Sequence, residues 1–121
     1  MPTVDRYQVL TMRTRVDLEH QHAAAVAELS KTTDGRISRL PAGFASGVAD
    51  ALEWVLGFGD VAPITLAPIS QPSHAEIVAE HDDAKAVVDG HVATHGRNWG
   101  WLTGVEHALS WTYGGMTPAP I

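Results

Sequence analysis

The chain repeats itself, and this internal repeat limits the folds open to the sequence more than any other feature. A shift of 57 positions aligns residues 43–64 with residues 100–121 without a gap, and ten of the 22 positions are identical. A shift of 61 positions aligns residues 16–36 with residues 77–97, where eight positions are identical. Two matched blocks in the same order indicate the duplication of one structural unit.

Each unit has the residue spacing of two helices. In the first helix, apolar residues and a histidine recur every three or four positions, which predicts a buried stripe. The stripe comprises Val16, His20, Ala23 and Ala27 in the first copy and Ile77, His81, Ala84 and Val88 in the second. In the second helix, Gly47 and Gly104 predict a close approach of another helix. Gly57 and Gly114 suit the left-handed position that ends a helix, and Ser73 with Glu76 has the pattern of a capping box.

A helical hairpin cannot bury its apolar stripe alone, but two hairpins can bury theirs against each other. We therefore predict an all-α fold in which two tandem helix-turn-helix hairpins pack pseudo-symmetrically as a compact four-helix domain. Residues 1–121 form this single domain, with repeats at about 14–64 and 75–121 and a linker at about 65–74. Residues 4–14 are compatible with a short strand or with a backward extension of the first helix. We favour the extension, through Val9 and Met12, with Thr3 or Asp5 as its cap.

Composition excludes several classes of function. Fourteen acidic against eight basic residues give a net charge of −6, which argues against general binding to nucleic acid. The absence of cysteine excludes disulfides and thiol nucleophiles. No apolar run reaches the length of a membrane span and no signal-peptide pattern is found, so we expect a cytoplasmic protein without membrane association.

Polar residues present in both copies are the first candidates for a binding site, because packing alone does not require them. The candidates are Glu19, His20 and Arg36 in the first copy, Glu80, His81 and Arg97 in the second, and Trp99 and Trp101 beside Arg97. A pair of guanidinium groups suits a phosphate or carboxylate, and an indole ring could stack on a planar ligand. The structural alternatives are buried histidines bonded to the protein and arginines that bond the last carbonyls of a helix.

Metal binding and a subunit interface are two further possibilities. His91 and His95 are four positions apart, which is a workable spacing for two ligands on a helix, but a catalytic metal needs three convergent ligands. No nucleophile elbow, phosphate loop or dinucleotide motif is found. We therefore assign no catalytic residue and no cofactor. Trp54 and Trp111 lie beside the predicted stripes, where tryptophan is either a residue of the core edge or an interface anchor.

The segment GFASGVADALEWVLGFGDVAPI, residues 43–64, resembles small helical proteins that actinobacteria and their bacteriophages encode. Those proteins carry an ALxWVLG helix near a helix rich in histidine and alanine, and most are of unknown function. The second copy departs from this pattern at ALSWTYG. The resemblance implies a phage or mobile-element setting and assigns no catalytic residue.

These observations favour a non-enzymatic helical protein that binds a protein partner or self-associates. The alternative is a pseudo-symmetric binder of a small anionic ligand such as a nucleotide, and the third reading is a metal-dependent hydrolase. A flat apolar patch around Trp54 and Trp111 would support the first reading. A concave pocket lined by Arg36 and Arg97 would support the second.

Overall fold

The computed structural model describes residues 12–33, 35, 40–116 and 118–121. These ranges contain four helices and no strand: α1 (Arg15–Thr33), α2 (Phe44–Val55), α3 (His74–Val88) and α4 (Trp99–Thr112). The predicted all-α class and the four helices are confirmed. Among the described residues, no helix combines the length and the apolar character that crossing a membrane would require.

Local signals in the sequence set the helix ends. The Ser73 side chain accepts a hydrogen bond from the Glu76 backbone, and the Glu76 side chain accepts one from the Ser73 backbone, which confirms the predicted capping box. Gly57 and Gly114 both adopt φ 88°, the left-handed conformation that suits glycine at the end of a helix.

The first helix begins later than the sequence predicts. The Thr14 hydroxyl accepts a hydrogen bond of 3.1 Å from the Asp17 backbone N–H and so caps α1 at its first turn. One residue earlier, the Arg13 N–H donates to the Thr112 carbonyl at 2.9 Å, which holds the chain against the end of α4. The predicted extension through Met12 is therefore wrong, while Val9 and the proposed caps at Thr3 and Asp5 lie outside the described residues.

The core forms where α2 crosses α4, and α1 and α3 pack on α2 and α4 respectively. At the crossing, a Cβ on Gly47 would overlap the Trp101 carbonyl, and a Cβ on Gly104 would overlap the Phe44 carbonyl. Only glycine allows this separation of the two backbones. The reciprocal contacts explain why both second helices carry glycine at the same place.

The extended segments that follow α2 and α4 bind to the first helix of the opposite hairpin. The backbone N–H groups of Ile64 and Thr65 donate to the Glu80 carboxylate on α3. At the other end of the chain, the Ile121 N–H donates to the Gln21 side chain on α1 at 2.6 Å, and the Gln21 amide donates to the Ile121 carbonyl at 3.3 Å. Gln21 and Glu80 are both buried for this reason.

The buried stripe predicted for α1 is wrong. Val16 is 59% exposed, and His20, Ala23 and Ala27 are also exposed. The face that packs on α2 instead carries Leu18, Gln21 and Ala25. The cap and the Gln21 contacts fix the rotation of the helix. Because α1 carries alanine on both of its faces, spacing alone could not choose between them.

Candidate functional site

A chain of hydrogen bonds links α3 to α4 at His81. The imidazole Nε2 is 2.7 Å from Glu106 Oε2, and the Nδ1 is 2.8 Å from the Tyr113 hydroxyl. The Tyr113 ring also meets the His81 ring edge-on, with centroids 5.2 Å apart. The His81 side chain is buried, with 7% of its surface exposed, so both ring nitrogens are used within the protein.

The protonation states along this chain follow from its surroundings. The hydrogen bond from His81 lowers the pKa of Glu106 below its usual value of 4.5, so this carboxylate is ionised at neutral pH. Burial raises the pKa of Tyr113 above its usual value, so the hydroxyl keeps its proton. Both contacts are satisfied when the imidazole donates from Nε2 to Glu106 and accepts at Nδ1 from the Tyr113 hydroxyl.

The order of carboxylate, imidazole and hydroxyl is that of a hydrolytic triad, but the surroundings do not favour catalysis. A nucleophilic hydroxyl needs help in losing its proton, whereas burial makes the Tyr113 proton harder to remove. The buried His81 ring has no nitrogen left for a substrate. The arrangement is suited to holding α3 against α4.

The Glu106→Gln variant tests this assignment through the pH dependence of stability. Because the folded pKa of Glu106 lies below its unfolded value, the charge stabilises the fold above about pH 4.5 and stops doing so as pH falls through the folded pKa. We expect the variant to be less stable than the wild type by about 1.5 kcal/mol at neutral pH, as for a hydrogen bond to a charged group. The difference should shrink below about pH 4.

Urea denaturation at several pH values measures this difference. Asp83→Asn is the control, because Asp83 is exposed on α3 and its loss should produce no comparable change. A difference between Glu106→Gln and wild type that stays constant across the acid range would contradict the assignment.

The other two repeated polar residues of the second copy, Glu80 and Arg97, form hydrogen bonds with backbone groups. Glu80 accepts hydrogen bonds from two backbone N–H groups and from the Thr65 hydroxyl at 2.8 Å. The Arg97 Nε donates to the Thr94 carbonyl at 2.8 Å, and its Nη1 donates to the Ile64 carbonyl at 3.1 Å. Both side chains therefore position the segment around Ile64.

The repeated residues of the first copy are placed differently. Glu19 and His20 are exposed, and Glu19 forms a surface ion pair with Arg15 at 3.2 Å. Arg36 lies outside the described residues. Since Glu80 and His81 are buried while Glu19 and His20 face solvent, these four residues do not form a common site.

The tryptophans divide between core and surface. Trp54 is 1% exposed and Trp111 is 6% exposed, so both are core residues. Trp99 is 53% exposed. Trp101 is half-buried, and its indole N–H donates to Asp50 Oδ2 at 2.7 Å.

The histidine pair considered for a metal does not share a helix. α3 ends at Val88, so His91 and His95 lie in the connection to α4, where both are exposed. The helical spacing that suggested a pair of ligands is therefore wrong. Within the described ranges, no group of three or more histidine, aspartate and glutamate side chains is arranged to hold a metal ion.

A groove of about 340 Å³ lies between α2, the loop after it, and α4. We call it the Leu66 groove; its lining includes Asp50, Glu53, Phe58, Val61, Leu66 and Trp101. Phe58 is 65% exposed, Val61 45% and Leu66 67%. Large apolar side chains that gather in a concavity while open to solvent are typical of a binding surface.

Leu66 holds an unfavourable backbone conformation. Its φ is 60°, in the left-handed region that branched side chains rarely adopt and that costs about 1 kcal/mol or more. The neighbouring bonds enforce it, because the Leu66 N–H donates to the Ala62 carbonyl at 3.0 Å and Thr65 is held by Glu80. The loop is thus built to present an apolar side chain to solvent at a cost in backbone strain.

The internal repeat does not mark this groove, because only Trp54 and Pro63 of its lining have an identical counterpart in the second copy. In the alignment at a shift of 57, Asp50 corresponds to His107, Glu53 to Ser110 and Phe58 to Gly115. A signal was present in the sequence, since Phe58 and Val61 follow the glycine that ends α2 and lie outside every predicted stripe.

Compared with protein-family models, with curated proteins and with solved structures, the chain has no match.

Proposed function

We propose that the protein is a non-enzymatic interaction module that binds a segment of a partner protein in the Leu66 groove. The observation that carries the proposal is Leu66, an exposed leucine held at positive φ on the wall of a concave apolar surface. Strained backbone conformations cluster at ligand-binding sites, where the surrounding structure holds them in place. A protein partner fits the shape, since an open groove with apolar walls accommodates an extended or helical segment.

Two further properties of the groove support a protein partner. Its rigid walls belong to α2 and α4, and the bond from the Trp101 indole to Asp50 ties the two walls together. The apolar residues that protrude belong to one short loop, 58–66. A preformed groove loses little conformational freedom when a segment binds, which favours affinity.

Selection from a random peptide library displayed on phage tests the proposal. We expect wild-type protein to enrich peptides with an apolar anchor residue, and the same peptides to be lost when Leu66→Asn protein is used as the target. Enrichment of peptides that bind both proteins equally, or no enrichment at all, would contradict a peptide-binding groove.

The Leu66→Asn variant is designed to remove the apolar side chain of Leu66 while keeping the backbone conformation of the loop. Asparagine tolerates the left-handed conformation, so we expect the free energy of unfolding to change by less than about 1 kcal/mol. Loss of one buried leucine contact should weaken peptide binding by about tenfold to a hundredfold. Val92→Asn, which removes a residue 47% exposed in the connection after α3, should leave the affinity unchanged. Isothermal titration calorimetry measures both.

The resemblance of residues 43–64 supports a phage or mobile-element setting for this module, and we propose such a setting and a cytoplasmic location. We also propose that the chain arose by duplication into two pseudo-symmetric hairpins. The reciprocal contacts of Gly47 and Gly104, which are equivalent positions of the repeat, support this origin. The ligand alternative gains no support at Arg97, whose Nε and Nη1 both bond to backbone carbonyls.

A further inference from the structure

The charged side chains that line the Leu66 groove are both acidic. Asp50 and Glu53 lie one turn apart on α2, both are exposed, and both line the groove. No lysine or arginine of the described ranges is part of its lining. The surrounding stretch of sequence, residues 40–84, contains seven acidic residues and no lysine or arginine. A surface with this charge attracts a cationic partner and repels an anionic one.

Among the described residues, no lysine or arginine forms an ion pair with Asp50 or Glu53. Asp50 Oδ2 accepts the Trp101 indole N–H, a neutral donor. Glu53 Oε1 is 3.9 Å from His22 Nε2, which is beyond hydrogen-bond distance, and His22 Nε2 has no other partner in the described part of the chain. Both carboxylates can therefore accept bonds from a ligand.

Aromatic rings lie beside these carboxylates. Trp101 and Phe58 line the same groove as Asp50 and Glu53. The protein already places guanidinium groups over such rings, since Arg13 lies 5.1 Å from the Trp111 ring and Arg15 lies 5.7 Å from the Phe58 ring. A guanidinium group binds a carboxylate through paired hydrogen bonds and stacks on an aromatic face, which an ammonium group does less well.

We propose that the partner segment presents an arginine side chain to Asp50 and Glu53, next to an apolar residue that contacts Leu66. This inference rests on the proposed function and adds the chemistry of the partner. The guanidinium lies between the two carboxylates and the Trp101 ring, while the apolar residue occupies the loop side of the groove.

Two small compounds of similar shape, one charged and one neutral, separate the contribution of charge to binding from that of shape. Phenylethylguanidinium is cationic, and phenylethylurea is its neutral isostere. The indole N–H signals of the four tryptophans in a ¹H–¹⁵N NMR spectrum report on binding, because Trp54 and Trp101 line the groove while Trp99 and Trp111 do not. We expect the guanidinium compound to shift the Trp101 signal, with a dissociation constant in the range of about 1 mM. The urea should bind at least about tenfold more weakly, a difference of about 1.4 kcal/mol.

Matched variants assign the effect to the two carboxylates. The double variant Asp50→Asn with Glu53→Gln should reduce binding of the guanidinium compound to the level of the urea. Asp82→Asn with Asp83→Asn removes the same charge from the exposed surface of α3 and should leave binding unchanged. Added salt should weaken binding of the guanidinium compound and not of the urea.

The possible outcomes separate this inference from the proposed function. Equal binding of the two compounds, or no shift of the Trp101 signal with about 10 mM guanidinium compound, overturns the inference. Selected peptides that lack arginine but do not bind the Leu66→Asn protein would also overturn the inference. They would still support the groove as a peptide-binding site. If phenylbutylammonium binds as tightly as the guanidinium compound, the choice of arginine is wrong.

Discussion

The Gly47→Ala variant is expected to lower the free energy of unfolding by about 3 kcal/mol, the upper range for overpacking a core. The added methyl group would overlap the Trp101 carbonyl, and the clash is with backbone rather than with the end of a flexible side chain. The helices α2 and α4 would have to move apart along their whole crossing. Gly104→Ala should have a similar effect, because its Cβ would overlap the Phe44 carbonyl.

Thermal and urea denaturation measure this loss, which corresponds to a decrease in Tm of roughly 10 °C. Gly59→Ala is the matched control. A Cβ at Gly59 would lie 3.6 Å from the nearest atom, which is an ordinary contact, so the same substitution should have little effect there. Equal losses in Gly47→Ala and Gly59→Ala would show that the effect comes from glycine in general and not from the helix crossing.

The Glu80→Ala variant should lower the free energy of unfolding by a similar amount, about 3 kcal/mol. Glu80 is 4% exposed, and its removal leaves the Ile64 and Thr65 N–H groups and the Thr65 hydroxyl without their acceptor. A buried donor without a partner costs about 1–3 kcal/mol, and the Ile64 N–H is such a donor, while the Thr65 groups lie nearer the surface. Glu80→Gln should be intermediate, since it keeps one acceptor oxygen but places an amide N–H₂ among the donors.

Glu19→Ala is the control for this series, because Glu19 aligns with Glu80 in the sequence but forms only a surface ion pair. We expect it to change stability by less than about 0.5 kcal/mol. Because Glu80 also fixes Thr65 beside Leu66, Glu80→Gln should weaken peptide binding at the groove as well. Similar losses of stability in Glu19→Ala and Glu80→Ala would contradict the structural difference between the two residues.

The fold class could be predicted from the sequence because its strongest signals are local. Ser73 with Glu76 marks the start of a helix, and Gly57 and Gly114 mark the ends of two others. The face of α1 could not be predicted, because alanine at 23, 25 and 27 makes both of its faces apolar. Contacts distant in sequence decide the outcome, above all the bonds between Gln21 and Ile121.

The site residues could not be predicted from the repeat. The sequence suggests ligand binding by Glu80 and Arg97, whereas in the structure both side chains bond to backbone groups of the protein. The groove could not be inferred in the same way, because its conformation at Leu66 and its concavity depend on how α2, α4 and the loop meet. No local pattern in the amino-acid sequence indicates such a surface.

The extended segments that follow α2 and α4 also determine how the molecule unfolds. The segment at Ile64 is bonded to α3, and the segment at Ile121 is bonded to α1, one hundred residues away in the chain. Neither hairpin can unfold without removing partners from the other, so the two hairpins form one cooperative unit. The closure of a loop from Gln21 to Ile121 also raises the contact order above that of a simple helical bundle. The molecule therefore folds more slowly than its helical content alone implies, and it unfolds as a whole.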